Sequence, residues 1–440
     1  MSARPENVRP FDETRQTLSE FLATDTDGTY YVGHACILVR LAGKKYLIDP
    51  VMVRPLLLDS WLYFPSQVMD ARILDVDGVF ISHFHEDHYD PRLLDQLRPG
   101  TPIYVTGARA ILEPSLRAAG RTVVALPPLE QVQIAAGVFA YAMPSEYNKI
   151  DSSFVLRSDQ LCVYQGNDNF LTAATLVRAR EVMGAVDHAF VPYAYIWWYP
   201  FCLGSIDDAT REREGQRLIH KYLDIGLLHT EILGAQVAVP NGGNLVYYDR
   251  VDSVVNTAVY SPLDFKAYAD RVRPDLTDRV LPMFAGDYLL QIDGKAQPHW
   301  TPRDTAQFKL EMAQFLTTQA RTLHREVPSR HHITLADGAF LQARLQRPEV
   351  TPQDYILVFQ RADLLNHALR VDLLTRQVTV GPTIEPTRPW IRFEIEPLAF
   401  EMWMGQHESF EVVLETSRFV AYRQPEQHDP KVWEVLRLYF

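Results

Sequence analysis

The stretch that most constrains this chain is Ser82-His83-Phe84-His85-Glu86-Asp87-His88, in which three histidines and Asp87 fall within six residues. The whole chain has 14 histidines in 440 residues, so a polar loop with chance histidines is a poor alternative. The preceding run, 76–81, is rich in β-branched and aromatic residues and predicts a buried strand. The histidines therefore follow the carboxyl end of a strand, where open α/β sheets usually build their sites.

This spacing predicts a pair of metal ions. Side chains at positions i and i+2 of an extended loop point the same way, so His83 and His85 can converge on one ion. Asp87 and His88 would then turn together toward a second ion. Imidazole and carboxylate groups suit zinc, iron and manganese.

Composition limits the class of protein. The formal net charge of -12 argues against nucleic acid or an anionic membrane as the main partner. Cys36, Cys162 and Cys202 are odd in number and far apart, which fits a reducing cytoplasm rather than a disulfide framework. The N-terminal residues lack the apolar core of a signal peptide, and no apolar run is long enough to span a bilayer. We therefore expect a cytoplasmic protein without a membrane span.

Three more acids follow predicted strands. Asp49 precedes Pro50, Glu146 follows a strand that ends at Met143, and Asp168 follows a strand at 161–165. Taken alone, each is more typical of a turn, because Asp and Asn favour turns. Beside the histidine loop, Glu146 and Asp168 become candidate ligands, and Asp49 becomes a candidate for orienting a ligand histidine.

Strand hairpins alternate with helical patterns from about residue 27 to 270, after an N-terminal arm at 1–26. This order predicts two sheets covered by helices, an αββα sandwich. A charged segment containing Pro274 resembles a linker. The runs that follow, including strands at 287–294 and 371–380, predict a C-terminal α+β domain over 285–440. That domain faintly resembles sterol-carrier-like domains, and it could cover the pocket or mediate a homodimer.

The ordered pieces Gly33-His34-Ala35, Leu47-Ile48-Asp49-Pro50, the histidine loop and Gly166-Asn167-Asp168 resemble the metallo-β-lactamase superfamily over about 27–260. Within it, the order Tyr-x-x-His-Ala-Cys, Asp-Pro, Ile-Ser-His-x-His-x-Asp-His, Pro-Ile-Tyr-Val most resembles the metallo-β-lactamase-like domain of CMP-N-acetylneuraminate hydroxylase. The Rieske iron–sulfur pattern that accompanies that domain does not occur in this sequence. The resemblance implies a dinuclear metal site on an αββα fold.

Two departures from the family pattern shape the expected site. The third motif usually offers a histidine, but this chain has Glu146 there, as in the di-iron β-hydroxylase of chloramphenicol biosynthesis. The last family ligand is a histidine, but this chain has Asn241 there, which either reaches the metal or substrate or serves as a turn residue. The expected metal ligands are His83, His85, Asp87, His88, Glu146 and Asp168.

Two histidines and one carboxylate form the ligand set of non-haem iron(II) oxygenases, and a site rich in carboxylates suits iron. We therefore predict a di-iron oxygenase or oxidase that binds two iron ions and uses O₂ on a small molecule. An external electron donor such as a ferredoxin or Rieske protein would supply electrons. The alternative is a zinc- or manganese-dependent hydrolase of an ester, lactone, amide or phosphodiester. A binding domain without catalysis is the third reading.

Two further features of the sequence each allow two interpretations. Residues 193–201 hold six aromatic side chains, among them Tyr195, Trp197 and Trp198. They could form an aromatic wall for the substrate, or they could pack in a core or dimer interface. His34 could donate a proton near the metals, or it could be a structural histidine.

Overall fold

The computed structural model describes residues 11–440 except 52–55, 57–59, 69, 108–111, 148–149, 244, 248–259, 324–331, 406–408 and 427–428. The first ten residues of the predicted arm thus lie outside the described residues. The chain divides into two compact units. The first comprises Met1–Ile196, Leu218–Asp252 and Asn256–Arg321, and the second comprises Trp197–Arg217, Ser253–Val255 and Thr322–Phe440.

The first unit holds sixteen of the named strands. They are β1 (Gly28–Gly33), β2 (Cys36–Leu41), β3 (Lys44–Ile48), β4 (Trp61–Tyr63), β5 (Gly78–Phe80), β6 (Ile103–Thr106), β7 (Val123–Leu126), β8 (Gln131–Ala135), β9 (Val138–Pro144), β10 (Ser152–Arg157), β11 (Cys162–Gln165), β12 (His188–Pro192), β13 (Val237–Asn241), β14 (Leu245–Tyr247), β15 (Tyr288–Ile292) and β16 (Lys295–His299). The helices are α1 (Phe11–Ala23), α2 (Pro91–Leu94), α3 (Leu112–Ala118), α4 (Ala173–Met183), α5 (Asp208–Leu233, from Leu218 in this unit), α6 (Pro262–Val272) and α7 (Thr305–Leu323, to Arg321 in this unit).

Two large sheets organise this unit. One has eight strands in the order β16-β15-β1-β2-β3-β5-β6-β7, and the other has six in the order β13-β12-β11-β10-β9-β8. Strands β3, β5, β6 and β7 run parallel, as do β11, β12 and β13. Because β15 pairs with β1, residues 288–299 extend the first sheet, which differs from the predicted domain boundary at 285.

Apolar side chains from both sheets fill the space between them. Phe80 of the first sheet stacks on Tyr104 at 4.7 Å between ring centroids and meets Phe154 of the second sheet at 5.2 Å. On the outer face of the first sheet, Leu18 and Phe21 of α1 are fully buried in a second apolar cluster. Helices thus cover paired sheets, and the predicted αββα sandwich is confirmed.

The second unit is built on a five-stranded sheet in the order β19-β18-β17-β20-β21. Its elements are α8 (Leu335–Leu345), β17 (Ile356–Arg361), β18 (His367–Asp372), β19 (Gln377–Pro382), β20 (Trp390–Ile395), α9 (Pro397–Phe400), α10 (Phe410–Thr416), β21 (Phe419–Gln424) and α11 (Pro430–Tyr439). This is an α+β arrangement. The predicted single strand at 371–380 is wrong: β18 and β19 form a hairpin, with Arg376 in the left-handed region at φ +56°. The likeness to sterol-carrier domains stays a prediction.

Among the described residues, no helix combines the length and the apolar character needed to cross a membrane.

Candidate metal centre

The candidate centre lies where several strands of the first unit end. Asp49 directly follows β3, the histidine loop follows β5, and Asp168 follows β11. His34 lies in the tight turn between β1 and β2. Since β3 and β5 are parallel neighbours, their carboxyl ends bring Asp49 beside the histidine loop.

Asp49 is the centre of a buried hydrogen-bond network. Its Oδ1 accepts from the backbone N–H of Ser82 at 2.7 Å. Its Oδ2 accepts from the Ser82 hydroxyl at 2.6 Å and from His88 Nδ1 at 2.8 Å. Asp49 and His88 are both fully buried. Burial raises the pKa of Asp49, and the bonds from His88 and Ser82 oppose that rise.

These bonds fix which ring nitrogens face the site. In neutral His88, donation from Nδ1 to Asp49 leaves the lone pair on Nε2. The Ser82 hydroxyl donates to Asp49, so its oxygen can accept from His83 Nδ1, which lies 2.8 Å away. His83 Nε2 then also presents a lone pair, and it lies 2.9 Å from His85 Nδ1. The network therefore prepares nitrogen ligands, as the partners of metal-binding histidines commonly do.

Two carboxylates approach His88 Nε2, namely Asp87 Oδ2 and Asp168 Oδ2, each at 3.3 Å. Burial tends to raise the pKa of Asp87, but the charge of His88 and the bond to His34 outweigh it and hold that pKa well below its usual range. Burial tends to lower the pKa of His88, but the charges of Asp87 and Asp168 reverse the effect and raise it well above its usual value. Such opposed shifts mark a site that concentrates negative charge around imidazole.

Two groups of ligand-type atoms meet in the described part of the first unit. The first group comprises His34, Asp87 and His88, and the second comprises His83, His88 and Asp168. The ligand atoms of each group lie within 4.8 Å of one another. His88 Nε2 is buried and has no hydrogen-bond partner among the described residues. The three cysteines are buried, with Cys36 in β2 and Cys162 in β11. Both donor groups consist of nitrogen and oxygen atoms, which fits iron, manganese or zinc.

Several residues at the same site have a strained backbone conformation. His34, Asp49 and Asn167 have φ of +51°, +44° and +51°, in the left-handed region that non-glycine residues seldom adopt. Such residues persist where surrounding contacts hold them, often at functional sites. At Gly166, an added Cβ would lie 2.5 Å from Pro192 Cδ, so the turn that carries Asp168 tolerates no side chain there.

Glu146, a predicted ligand, belongs to neither donor group among the described residues. Its carboxylate accepts from the Thr172 backbone at 2.8 Å, from the Thr172 hydroxyl at 3.0 Å and from the Thr175 hydroxyl at 2.8 Å. Thr172 is the N-cap of α4, so Glu146 satisfies donors at the start of that helix. Burial tends to raise its pKa, but these hydrogen bonds lower it overall.

Asn241, at the end of β13, is buried, and neither amide atom has a hydrogen-bond partner within the described residues. The next residue, Gly242, reaches the site: its N–H donates to the His34 carbonyl at 3.3 Å. An added Cβ at Gly242 would lie 3.3 Å from Asp168 Oδ1. The end of β13 therefore lies beside the candidate centre, as the family pattern implied.

The aromatic residues proposed for substrate binding are mostly packed. Trp198 is buried in the second unit against Phe419 at 5.5 Å and Trp433 at 5.0 Å, which fits the core alternative. Trp197, in the same unit, lies under the Arg437 guanidinium. Tyr195, in the first unit, is buried and meets Tyr222 at 4.8 Å.

The sequence interpretation missed two supporting residues. Ser82 connects Asp49 to His83, and Gln165 donates from Nε2 to the Ala35 carbonyl at 2.7 Å, which ties β11 to the turn that carries His34. The pairing of β3 with β5 could have revealed Ser82, because it places Ser82 next to the acid that ends β3. Gln165 carries no such local signal, since the contact spans 130 residues.

Comparison with known proteins agrees with this fold. Residues 29–176 match the model of the beta-lactamase superfamily domain. The chain is 34% identical over 101 residues to cytidine monophosphate-N-acetylneuraminic acid hydroxylase of Cricetulus griseus, a match that covers 22% of this chain and 18% of that protein. The Mus musculus hydroxylase is 33% identical over 101 residues, covering 22% of this chain and 17% of that protein. The chain therefore matches about a fifth of these curated relatives.

Two solved structures are also similar. Igni18, a metallo hydrolase from Ignicoccus hospitalis, gives a TM-score of 0.41 at 18% identity and covers 63% of this chain and 100% of that chain. CmlA, a diiron beta-hydroxylase from Streptomyces venezuelae, gives a TM-score of 0.38 at 17% identity and covers 58% of this chain and 51% of that chain. The domain match over residues 29–176 confirms the resemblance to the metallo-β-lactamase superfamily that the sequence motifs showed.

Proposed function

We propose that this chain is a non-haem di-iron enzyme that oxidises a small molecule with dioxygen. The observation that carries the proposal is the pair of donor groups that share His88, one with Asp87 and one with Asp168. They offer nitrogen and carboxylate oxygen, all from buried residues except the half-exposed Asp168, and such donors suit iron. The partial similarity to a hydroxylase supports the same choice.

The side chains of the centre have different roles in this proposal. His83, His85 and His88 would supply neutral imidazole nitrogens, and Asp49 and Ser82 orient the rings of His83 and His88. Asp87 and Asp168 supply negative charge on both sides of His88. Iron bound by these groups would supply redox chemistry toward dioxygen.

Hydroxylation needs two electrons besides those of the substrate. One oxygen atom of O₂ enters a C–H bond, and the other leaves as water after taking up two electrons and two protons. No flavin, haem or Rieske motif occurs in the sequence. We therefore propose an external donor, a ferredoxin or Rieske protein, as the electron source.

Hydrolysis is the second candidate, and the position of Glu146 favours it. With Glu146 bonded at the start of α4, the donors at the centre are histidines and aspartates. This set serves zinc or manganese equally well, and a pair of such ions can activate water and stabilise the charge that develops on an ester, lactone, amide or phosphodiester.

One experiment separates the two functions. Protein from iron-sufficient cells would be purified without oxygen, its metals counted, and its optical spectrum recorded before and after exposure to air. We expect two irons per chain, a ferric–oxo absorption band on exposure, and O₂ uptake with a chemical reductant. Asp168→Asn should lose these signals, whereas His229→Gln, outside the centre, should keep them. Zinc with a blank spectrum would refute oxygenation and direct the search to hydrolytic substrates.

A further inference from the structure

The turn between β1 and β2 places a fourth histidine at the centre. His34 is buried, and its Nε2 lies 2.9 Å from Asp87 Oδ2. Asp87 Oδ2 in turn lies 3.3 Å from His88 Nε2. Ligand atoms that surround one ion at about 2.1 Å lie about 3.0 Å apart in octahedral geometry and about 3.4 Å apart in tetrahedral geometry, so separations of 2.9 Å and 3.3 Å are close to those around a shared ion.

The position of His34 matches the gap left by the family's last histidine. That ligand would fall at the end of β13, where this chain has Asn241. The structure brings the two places together, because the Gly242 N–H donates to the His34 carbonyl at 3.3 Å. A histidine from the β1–β2 turn therefore stands beside the place where the β13 histidine is missing.

The turn holds His34 rigidly enough for such a role. The His34 carbonyl also accepts from the Tyr31 hydroxyl at 2.7 Å, and Gln165 Nε2 donates to the Ala35 carbonyl at 2.7 Å. Gly33 has φ +134°, and an added Cβ there would lie 2.8 Å from Gln67 Cγ. The turn thus depends on Gly33 and is tied to β1, β11 and the end of β13.

We infer that His34 is a metal ligand, which completes the second ion position with Asp87 and His88 in place of the family's last histidine. The inference rests on the dinuclear centre proposed above, but on neither of the two reactions. His34 Nδ1 has no hydrogen-bond partner among the described residues, unlike Nδ1 of His83 and His88. Since such partners strengthen histidine ligands, the second ion should be the more weakly held.

The test is anaerobic titration of the full chain with cobalt(II) alone. His34→Gln keeps a side chain that can donate a hydrogen bond to Asp87 but is a poor ligand, and His34→Ala removes both functions. His229→Gln is the matched control, because His229 is fully buried, bonds the Tyr164 hydroxyl and belongs to neither donor group. We expect two cobalt ions in the wild type and the control. Both His34 variants should keep the first ion and bind the second at least about 100-fold more weakly.

A second readout separates a ligand from a positioning residue. Paramagnetic proton NMR of the cobalt form shows a shifted exchangeable signal for a coordinated imidazole N–H, and His34→Gln should lose one such signal. Wild-type affinity for both ions in His34→Gln would overturn the inference, as would an unchanged set of shifted signals at saturating cobalt. Two cobalt ions bound through His34 without any O₂ chemistry would instead refute the oxygenase proposal and leave this inference standing.

Discussion

Changing Asp49 to Asn tests the hydrogen-bond network most directly. The carboxylate accepts from His88 Nδ1 at 2.8 Å and from Ser82 at 2.6 Å and 2.7 Å. An amide has one acceptor oxygen and one donor nitrogen. If that nitrogen faces His88, it donates to Nδ1, and the proton of His88 moves to Nε2, the atom that faces Asp87 and Asp168. The lone pair needed for a metal is then lost.

The expected loss of metal affinity follows from the role of Asp49 in orienting His88. Replacing a group that orients a metal-binding histidine typically costs 10–100-fold in metal affinity, which is about 1.4–2.8 kcal/mol. Because burial raises the pKa of Asp49, its ionised form is held in the folded state at a cost, and Asn avoids that cost. We therefore expect metal affinity to fall far more than the stability of the metal-free protein.

The assay is competition with a chelator for cobalt(II) or zinc(II), beside thermal unfolding of the metal-free protein. Asp90→Asn is the matched control: Asp90 is buried and caps α2 by accepting from the Arg92 N–H, and Asn caps as well as Asp. The control should bind metal normally. If Asp49→Asn binds both ions with wild-type affinity, the network does not set the ligand tautomers and the reasoning is wrong.

Two further outcomes follow from the structure. Glu146→Gln should lower stability to urea by about 1 kcal/mol, through weaker bonding at the start of α4, and leave the metal content unchanged; a loss of metal would restore Glu146 as a ligand. Burial lowers the pKa of His188 and of His229 to about 3, so the unfolded chain binds more protons between about pH 6.5 and 3, and stability falls as the pH drops through that range. Between pH 6.5 and 5 the loss should be about 1.7 kcal/mol for each residue, and unfolding measured at both pH values should show a smaller loss in His229→Gln; an equal loss would contradict the assignment.

The sequence predicted the sandwich and the histidine loop because both are local signals. A strand followed by closely spaced ligands needs no long-range information, and Asp49 stands at a strand end that parallel pairing brings to the same place. The hydrogen-bond partners of Glu146 were hidden for the opposite reason. Its position after β9 suggested the centre, but the competing donors come from Thr172 and Thr175, and no local pattern reveals that contact.

The role of His34 could not be predicted from the sequence for a different reason. The motif around it was visible, but whether a histidine in a turn donates a proton, packs or binds metal depends on what faces it. Asp87 lies 53 residues along the chain and meets it only through the fold. Trp198 was likewise undecidable, because its packing partners lie more than 190 residues away in the second unit.

The single carboxylate of Asp49 joins both halves of the centre. It holds His88 directly and His83 through Ser82, so one group sets the ring orientation of histidines in both donor groups. An ion that binds His83 would tighten this chain of bonds and so settle His88 before a second ion arrives. Occupation of the first position should therefore raise the affinity of the second, although the second ion stays the more weakly held of the two. A designer who wants a mononuclear variant would therefore replace His34, which leaves this shared support intact, rather than Asp49, whose loss should weaken both positions.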